Sequence, residues 1–268
     1  MLIVLSPAKT LDFTAPDIEL QVTLPSMAKD TAKLAQAARK LSRADLMRMM
    51  DISEKLADLN VERFRSFQPN PEKAQGLPAM LAFAGDVYEG LKARTLDAGS
   101  LDWAQDHVWI LSGMYGMLRP LDLLQPYRLE MGVRIKTDRG ATLYDFWGDR
   151  IAKALSDALK THDDPTLVNL ASQEYFGAVD IRALKKPLVT CIFKQEKAGE
   201  LRNLGMFSKT ARGLMTRYAI DNRIDRAEGL KAFNRAGYSF RADLSGPTEW
   251  VFTRQQPAPG TPMAISEA

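Results

Sequence analysis

Four short apolar runs punctuate the chain, at residues 2–5 (LIVL), 108–111 (VWIL), 167–170 (LVNL) and 188–193 (LVTCIF). Each is bounded by turn-forming residues and has the length and branched content of a buried strand. Between them the apolar period lengthens to that of a helix, which predicts helices over residues 26–40, 43–50, 54–66, 77–91, 143–160 and 207–222. Near the end, "GYSF" and "EWVFTR" alternate like the arms of an antiparallel hairpin. Strands interleaved with many helices predict an α/β (mixed α+β) class, with a single domain over residues 1–254 and a mixed β-sheet core wrapped by helices. The stretch "QQPAPGTPMAISEA" is rich in Pro, Gly and small residues and predicts a flexible C-terminal tail over residues 255–268.

Three of the predicted strands end alike. "IVLSP" delivers Ser6, "WILSG" delivers Ser112, and "VNLAS" delivers Asn169 and Ser172. Ligands of open α/β sheets bind outside the carboxyl ends of the strands, so neighbouring strands would line one crevice with these residues. The loops that follow add Lys9 and Thr10, then Tyr115 and Arg119, then Glu174 and Tyr175. A serine after a strand also caps turns, and the two readings compete at each position. The longest of these loops, "LSGMYGMLRPLDLLQPYRLEMG" (residues 111–132), is stiffened by Pro120 and Pro126. Arg119 and Arg128 suit phosphate or carboxylate, Asp122 and Glu130 could orient them, and Tyr115 and Tyr127 offer faces for a base to stack on. The alternative is an arginine–carboxylate network that only ties the loop down.

Composition changes the picture little, but charge does. Hydrophobic content of 46% and charged content of 26% are ordinary for a globular protein. The net charge of +3 is uneven: residues 194–241 carry 11 Lys and Arg against 5 Asp and Glu. That region suggests an anionic partner or a solvated basic surface. Within it, "FSKTARGLMTRYAIDN" places Phe207, Ala211, Leu214, Met215 and Tyr218 on one side at helical spacing. Lys209, Arg212, Thr216 and Arg223 fall within about 60° of one another on the other side, as a stripe that could track phosphates.

Other chemistries find less support. The single Cys191 lies in an apolar run, as a buried structural thiol would, and one cysteine suits a reducing compartment. His107 and His162 have no partner at metal-ligand spacing, so no metal and no cofactor is expected. No nucleotide-binding glycine loop and no apolar run of roughly 20 residues occurs, so the expectation is a cytoplasmic, monomeric protein with no membrane partner. Lys9, after a buried strand and near Ser6, could serve as a base, a Schiff-base nucleophile or a phosphate ligand. In "DLMRMMDISEKLADLN", two helices meet in a tight turn that loosely fits a helix-hairpin-helix. Ile52 takes the apolar position, Asp51 and Ser53 replace the glycines, and Ser53 with Lys55 would meet a phosphate.

Six ordered blocks carry a wider resemblance: "LSPAKTLDF", "GDVYEGL", the 111–132 loop, "LYDFWGD", "VNLASQEYF" and "SKTARGLMTRY". Together they resemble the YaaA family of peroxide-stress proteins, from the start of the chain to about Arg254. The resemblance implies a bacterial cytoplasmic protein that withstands hydrogen peroxide, lowers free iron and limits oxidative DNA damage. It also implies binding of double-stranded DNA through a basic cleft and a helix-hairpin-helix-like element. The family's motif positions map onto Ser6, Lys9, Thr10, Tyr88, Ser112, Tyr115, Arg119, Asp122, Tyr127, Arg128, Asn169, Ser172, Tyr175 and Lys209. Two readings follow. One is a DNA-binding stress protein whose Arg119, Arg128, Lys209, Arg212 and Arg223 meet phosphates while Ser53 and Lys55 grip the backbone. The other is a glycosylase- or lyase-like enzyme that holds a nucleotide-like ligand in the strand-end cleft beside Lys9.

Overall fold

The computed structural model describes residues 1–70 and 75–257. Its centre is an eight-stranded sheet built from β1 (Leu2–Leu5), β2 (Val108–Ser112), β3 (Gly116–Leu118), β4 (Leu167–Leu170), β5 (Leu188–Lys197), β6 (Glu200–Arg202), β7 (Ser239–Phe240) and β8 (Glu249–Gln255). The spatial order is β7-β8-β5-β4-β1-β2-β3, with β6 paired to β5. The five strands from β8 to β2 run parallel, and β3, β6 and β7 are antiparallel additions. Register follows burial: Ile3 lies between Val108 and Val168, and Cys191 pairs with Trp250. β1 and β4 are buried along their whole length, which is why they read as unbroken apolar runs. β5 alternates buried and half-buried residues, with helices against one face and an open cleft on the other.

The main helices are α1 (Ala28–Ala38), α2 (Arg43–Met50), α3 (Glu54–Ser66), α4 (Asp86–Leu91), α5 (Ala98–His107), α6 (Arg150–Ala158) and α7 (Gly205–Asp221). The helix expected over 77–91 is broken into two short ones, Ala79–Ala82 and α4, because Leu77–Pro78 pairs with Leu123–Leu124, Phe83–Ala84 pairs with Thr10–Leu11 and Gly85 takes φ 144° before α4 begins. The helix expected over 143–160 is likewise cut by Gly148 at φ 51°. α2 and α3 do form a tight helical hairpin. Asp51 occupies the left-handed position that glycine usually fills, Ile52 is buried, and Ser53 accepts the Leu56 N–H as the cap of α3. The expected tail mostly falls outside the described residues, although Gln255 still pairs with Glu196 in β5.

α7 is not the amphipathic surface helix its period suggested. Ser208, Thr210, Ala211, Gly213, Leu214, Met215, Thr216, Ala219 and Ile220 are all buried, so the helix is covered well beyond its apolar stripe; of the basic stripe Thr216 is buried and Arg212 half-buried, while Lys209 and Arg223 stay exposed. It crosses α4 with backbone against backbone. A methyl group on Gly213 would run into the Val87 carbonyl, and one on Gly90 would run into the Thr210 carbonyl. Gly213→Ala therefore sets a helix-propensity gain of about 1 kcal/mol against a clash with backbone that has no flexible end to yield. We expect the clash to prevail, with a net loss of about 2 kcal/mol or more by urea unfolding. Gly205→Ala, where nothing lies within 4 Å, should cost nothing measurable; equal effects at both positions would refute the account.

Candidate functional site

The order of the five parallel strands creates a switch point. From β1 the chain steps to β2 on one side and later returns across β1 to β4 on the other. The loops leaving β1 and β4 therefore diverge, which is where open α/β sheets bind ligands. Here the two loops are tied by one bond: the Ser172 N–H donates to Ser6 Oγ at 2.8 Å. The Tyr88 hydroxyl of α4 donates to the Ser6 carbonyl at 3.1 Å, and Ser172 Oγ accepts the Tyr175 N–H at 3.4 Å. The long loop after β3 closes the arrangement. Glu130 sits 2.8 Å from Lys9 Nζ and 3.0 Å from Arg128 Nη2, and Glu174 accepts the Gly132 N–H at 3.0 Å. Lys9 is exposed and ion-paired, and Thr10 is exposed on the short strand beside it.

Beside this knot an open cleft of about 1360 Å³ runs from the carboxyl end of β4 along one face of β5 to the first turns of α7. Asn169, Ser172, Lys209 and Arg212 line it together. Lys209 is exposed and lies 3.7 Å from Asp86 of α4. Arg212 differs from the other arginines of the site. Its guanidinium is half-buried, its Nε is shielded from solvent without an acceptor, and no carboxylate or carbonyl partner exists for the side chain among the described residues. Burial pushes its pKa below the usual arginine range. The ionisable group coupled to it is the Cys191 thiol, which burial pushes up to about 12 and so keeps neutral. A charge withdrawn from water without a partner costs several kcal/mol, and an anion entering the cleft would recover that cost.

The remaining expected residues divide between the interior and the far end. Tyr115, Tyr127, Ser112 and Asp122 are buried and hold the long loop together. Ser112 Oγ and Tyr127 OH are 2.6 Å apart, the Gln125 N–H donates to Tyr115 OH, and Asp122 accepts from Thr23 Oγ1 and from the Arg119 N–H. Burial raises the pKa of Tyr88, Tyr115, Tyr127 and Tyr175, so all four stay protonated donors. Tyr115 and Tyr127 have no face open for a base to stack on. Arg119 and Arg223 do not reach the cleft. Arg119 lies over Trp109 and pairs with Asp122 at the amino end of the sheet, and Arg223 follows the end of α7 and donates to Ser100 Oγ. Ser53 and Lys55 are exposed on the helical hairpin, whose Arg43 faces Glu54 and Asp58 and whose Arg48 pairs with Asp45.

Sequence reasoning passed over two groups. Ile181 lines the cleft with 61% of its surface exposed, and no periodicity marks it. His107 and His162 lie 55 positions apart yet meet at 5.1 Å between ring centroids, beside the amino ends of β1 and β2. Among the described residues, no three His, Cys, Asp or Glu side chains group so as to hold a metal ion.

A family model described as "Peroxide stress protein YaaA" matches residues 1–244. A UPF0246 protein of Caulobacter sp. strain K31 is 65% identical over 257 residues, which is 96% of this chain and 100% of that relative. One of Phenylobacterium zucineum strain HLK1 is 60% identical over 259 residues, covering 97% of each chain. One of Ruegeria pomeroyi is 48% identical over 254 residues, 95% of this chain and 98% of the relative.

The histidine pair has a consequence for acid stability. Burial first, then the N-terminal ammonium and His107, lower the pKa of His162 from 6.5 to about 4. The unfolded chain therefore binds the proton more readily, and stability falls as pH drops from about 6.5 towards 4. His162→Gln should flatten part of the Tm loss between about pH 7 and about pH 4.5. An unchanged pH profile would remove His162 as a cause.

Proposed function

The chain belongs to the family of peroxide stress protein YaaA, and on that premise we propose that it acts in the cytoplasm by binding double-stranded DNA and limiting iron-dependent oxidative damage to it. The observation that carries this reading is Arg212, a half-buried cation with no ion-pair or hydrogen-bond partner among the described residues, opening into a cleft whose lining also holds Lys209 and the carboxylates of Asp149, Asp180 and Glu249. A phosphate is the anion best suited to a planar guanidinium backed by an ammonium. Lys9 and Arg128 are both paired with Glu130 at the strand ends, outside the cleft lining, and the exposed Ser53 and Lys55 of the α2–α3 hairpin would offer a second backbone contact.

Protection follows from the electrostatics of duplex DNA. The backbone condenses cations, ferrous iron among them, and each phosphate neutralised by protein releases its share. Iron displaced from the backbone generates its radicals away from the bases. In this reading the chain needs no metal site of its own.

Duplex affinity measured across a salt series should fall steeply as salt rises. Arg212→Gln and Lys209→Gln should each reduce the slope by about 1 and weaken binding to every sequence alike. Arg119→Gln, at the other end of the sheet, should leave the slope unchanged. Binding that ignores salt, or that depends on Arg119 as much as on Arg212, would overturn the reading.

A further inference from the structure

The cleft is larger and more varied than a backbone phosphate requires. At about 1360 Å³ it exceeds the volume of a typical small-ligand pocket. Its polar end holds Lys209 and, recessed beneath it, Arg212, whose shielded Nε leaves the remaining guanidinium nitrogens to meet a ligand. Its other side presents the apolar Phe176, Ile181, Leu188 and Ile192, with the charged Asp180 and Arg182 flanking Ile181. Thr190 and Asn203 stand between the two regions. Ile181 at the cleft wall keeps 61% of its surface in solvent, an expensive exposure for a large apolar side chain.

From this division we infer that the cleft is a pocket for a nucleoside monophosphate, its phosphate on Arg212 and Lys209 and its base on the apolar wall of Phe176, Ile181 and Ile192. The inference rests on the reading above that the cations of this cleft receive phosphate. Three features select this ligand class. A terminal phosphate carries up to two charges and reaches a recessed guanidinium more readily than a diester within a stiff duplex. A free anion such as inorganic phosphate would leave Phe176, Ile192 and the exposed Ile181 uncovered. A base has flat apolar faces for Phe176 and Ile192, and polar edges that the Thr190 hydroxyl and Asn203 amide can meet. The position fits as well, since the cleft opens beside the β1–β4 switch point.

The test is calorimetric titration of the full chain with AMP, with inorganic phosphate and adenosine run in parallel. AMP should bind about tenfold or more tightly than either half alone. Arg212→Gln should weaken AMP by about tenfold or more. Ile181→Asp, at an exposed position where folding is insensitive, should weaken AMP by placing a carboxylate and no apolar surface at the mouth. Thermal melts of both variants establish that they fold, and the Ile181 variant keeps the test decisive if Arg212→Gln does not. AMP binding no tighter than phosphate, or untouched by both substitutions, would overturn the inference. Duplex affinity of the same variants separates the two proposals. Arg212-dependent duplex binding without AMP binding removes the mononucleotide pocket alone, whereas AMP binding without duplex binding removes the DNA reading and leaves the pocket.

Discussion

The crossing of α4 over α7 is the constraint on which the site depends. Gly90 and Gly213 let the two helices meet through their backbones, closer than side chains would allow. The contact forms one link of a chain that begins in the sheet. β1 ends at Leu5 and runs into Ser6, the Ser6 carbonyl accepts the Tyr88 hydroxyl, and Tyr88 belongs to α4. α4 in turn fixes α7, and α7 carries Lys209 and Arg212. The position of the cations relative to the strand ends is thus set by backbone contact and one buried hydrogen bond, without reliance on long, mobile side chains. A larger residue at either glycine would separate the helices and carry both cations away from Ser172.

This rigidity explains how the fold tolerates Arg212. An arginine on a loose helix would turn to water or find a carboxylate. On α7 the neighbouring positions Ala211, Gly213, Leu214, Met215 and Thr216 are all buried, so the helix cannot rotate to release it. The folding energy of the surrounding core holds a charge in a place where it is poorly solvated. Such an arrangement is costly for the free protein and favourable for a bound anion, which is the differential that ligand recognition needs.

How far this could be read from the sequence depends on the residue. The strands at 2–5, 108–111 and 167–170 were legible because parallel strands covered on both faces are apolar throughout, and the one at 188–193 because its residues are branched and apolar although one face opens on the cleft. The common endings raised the possibility that the first three are neighbours, and they are; Ser6 and Ser172 meet there in one hydrogen bond. The 111–132 loop was legible as a special segment but not in its purpose. Tyr115, Tyr127 and Asp122 look like binding groups because they are polar, yet their hydroxyls and carboxylate satisfy backbone and side-chain partners indoors. α7 misled for another reason. A helical period separates two faces, but it says nothing about whether the polar face meets water or a second layer of protein. The glycines in "GDVYEGL" and "ARGLMTRY" were the available signal of that second layer, since a glycine within a helix often marks close approach.

Charge counting pointed to the right region by an incomplete route. Much of the positive excess of residues 194–241 is matched locally: Arg202 with Glu200, Arg217 and Arg235 with Asp221, Lys231 with Glu228, Arg241 with Asp243. Lys9, Arg119 and Arg128 are matched too. Exposed pairs of this kind contribute little field at a distance and little stability. What distinguishes the cleft is Arg212, a half-buried guanidinium without an ion pair or hydrogen bond among the described residues. A net charge sums cations without regard to partners or solvent, so it weighs Arg241 and Arg212 equally. Recognition does not: an anion gains most where the protein has removed both water and counter-charge, and in this fold α7 brings those two conditions together at Arg212.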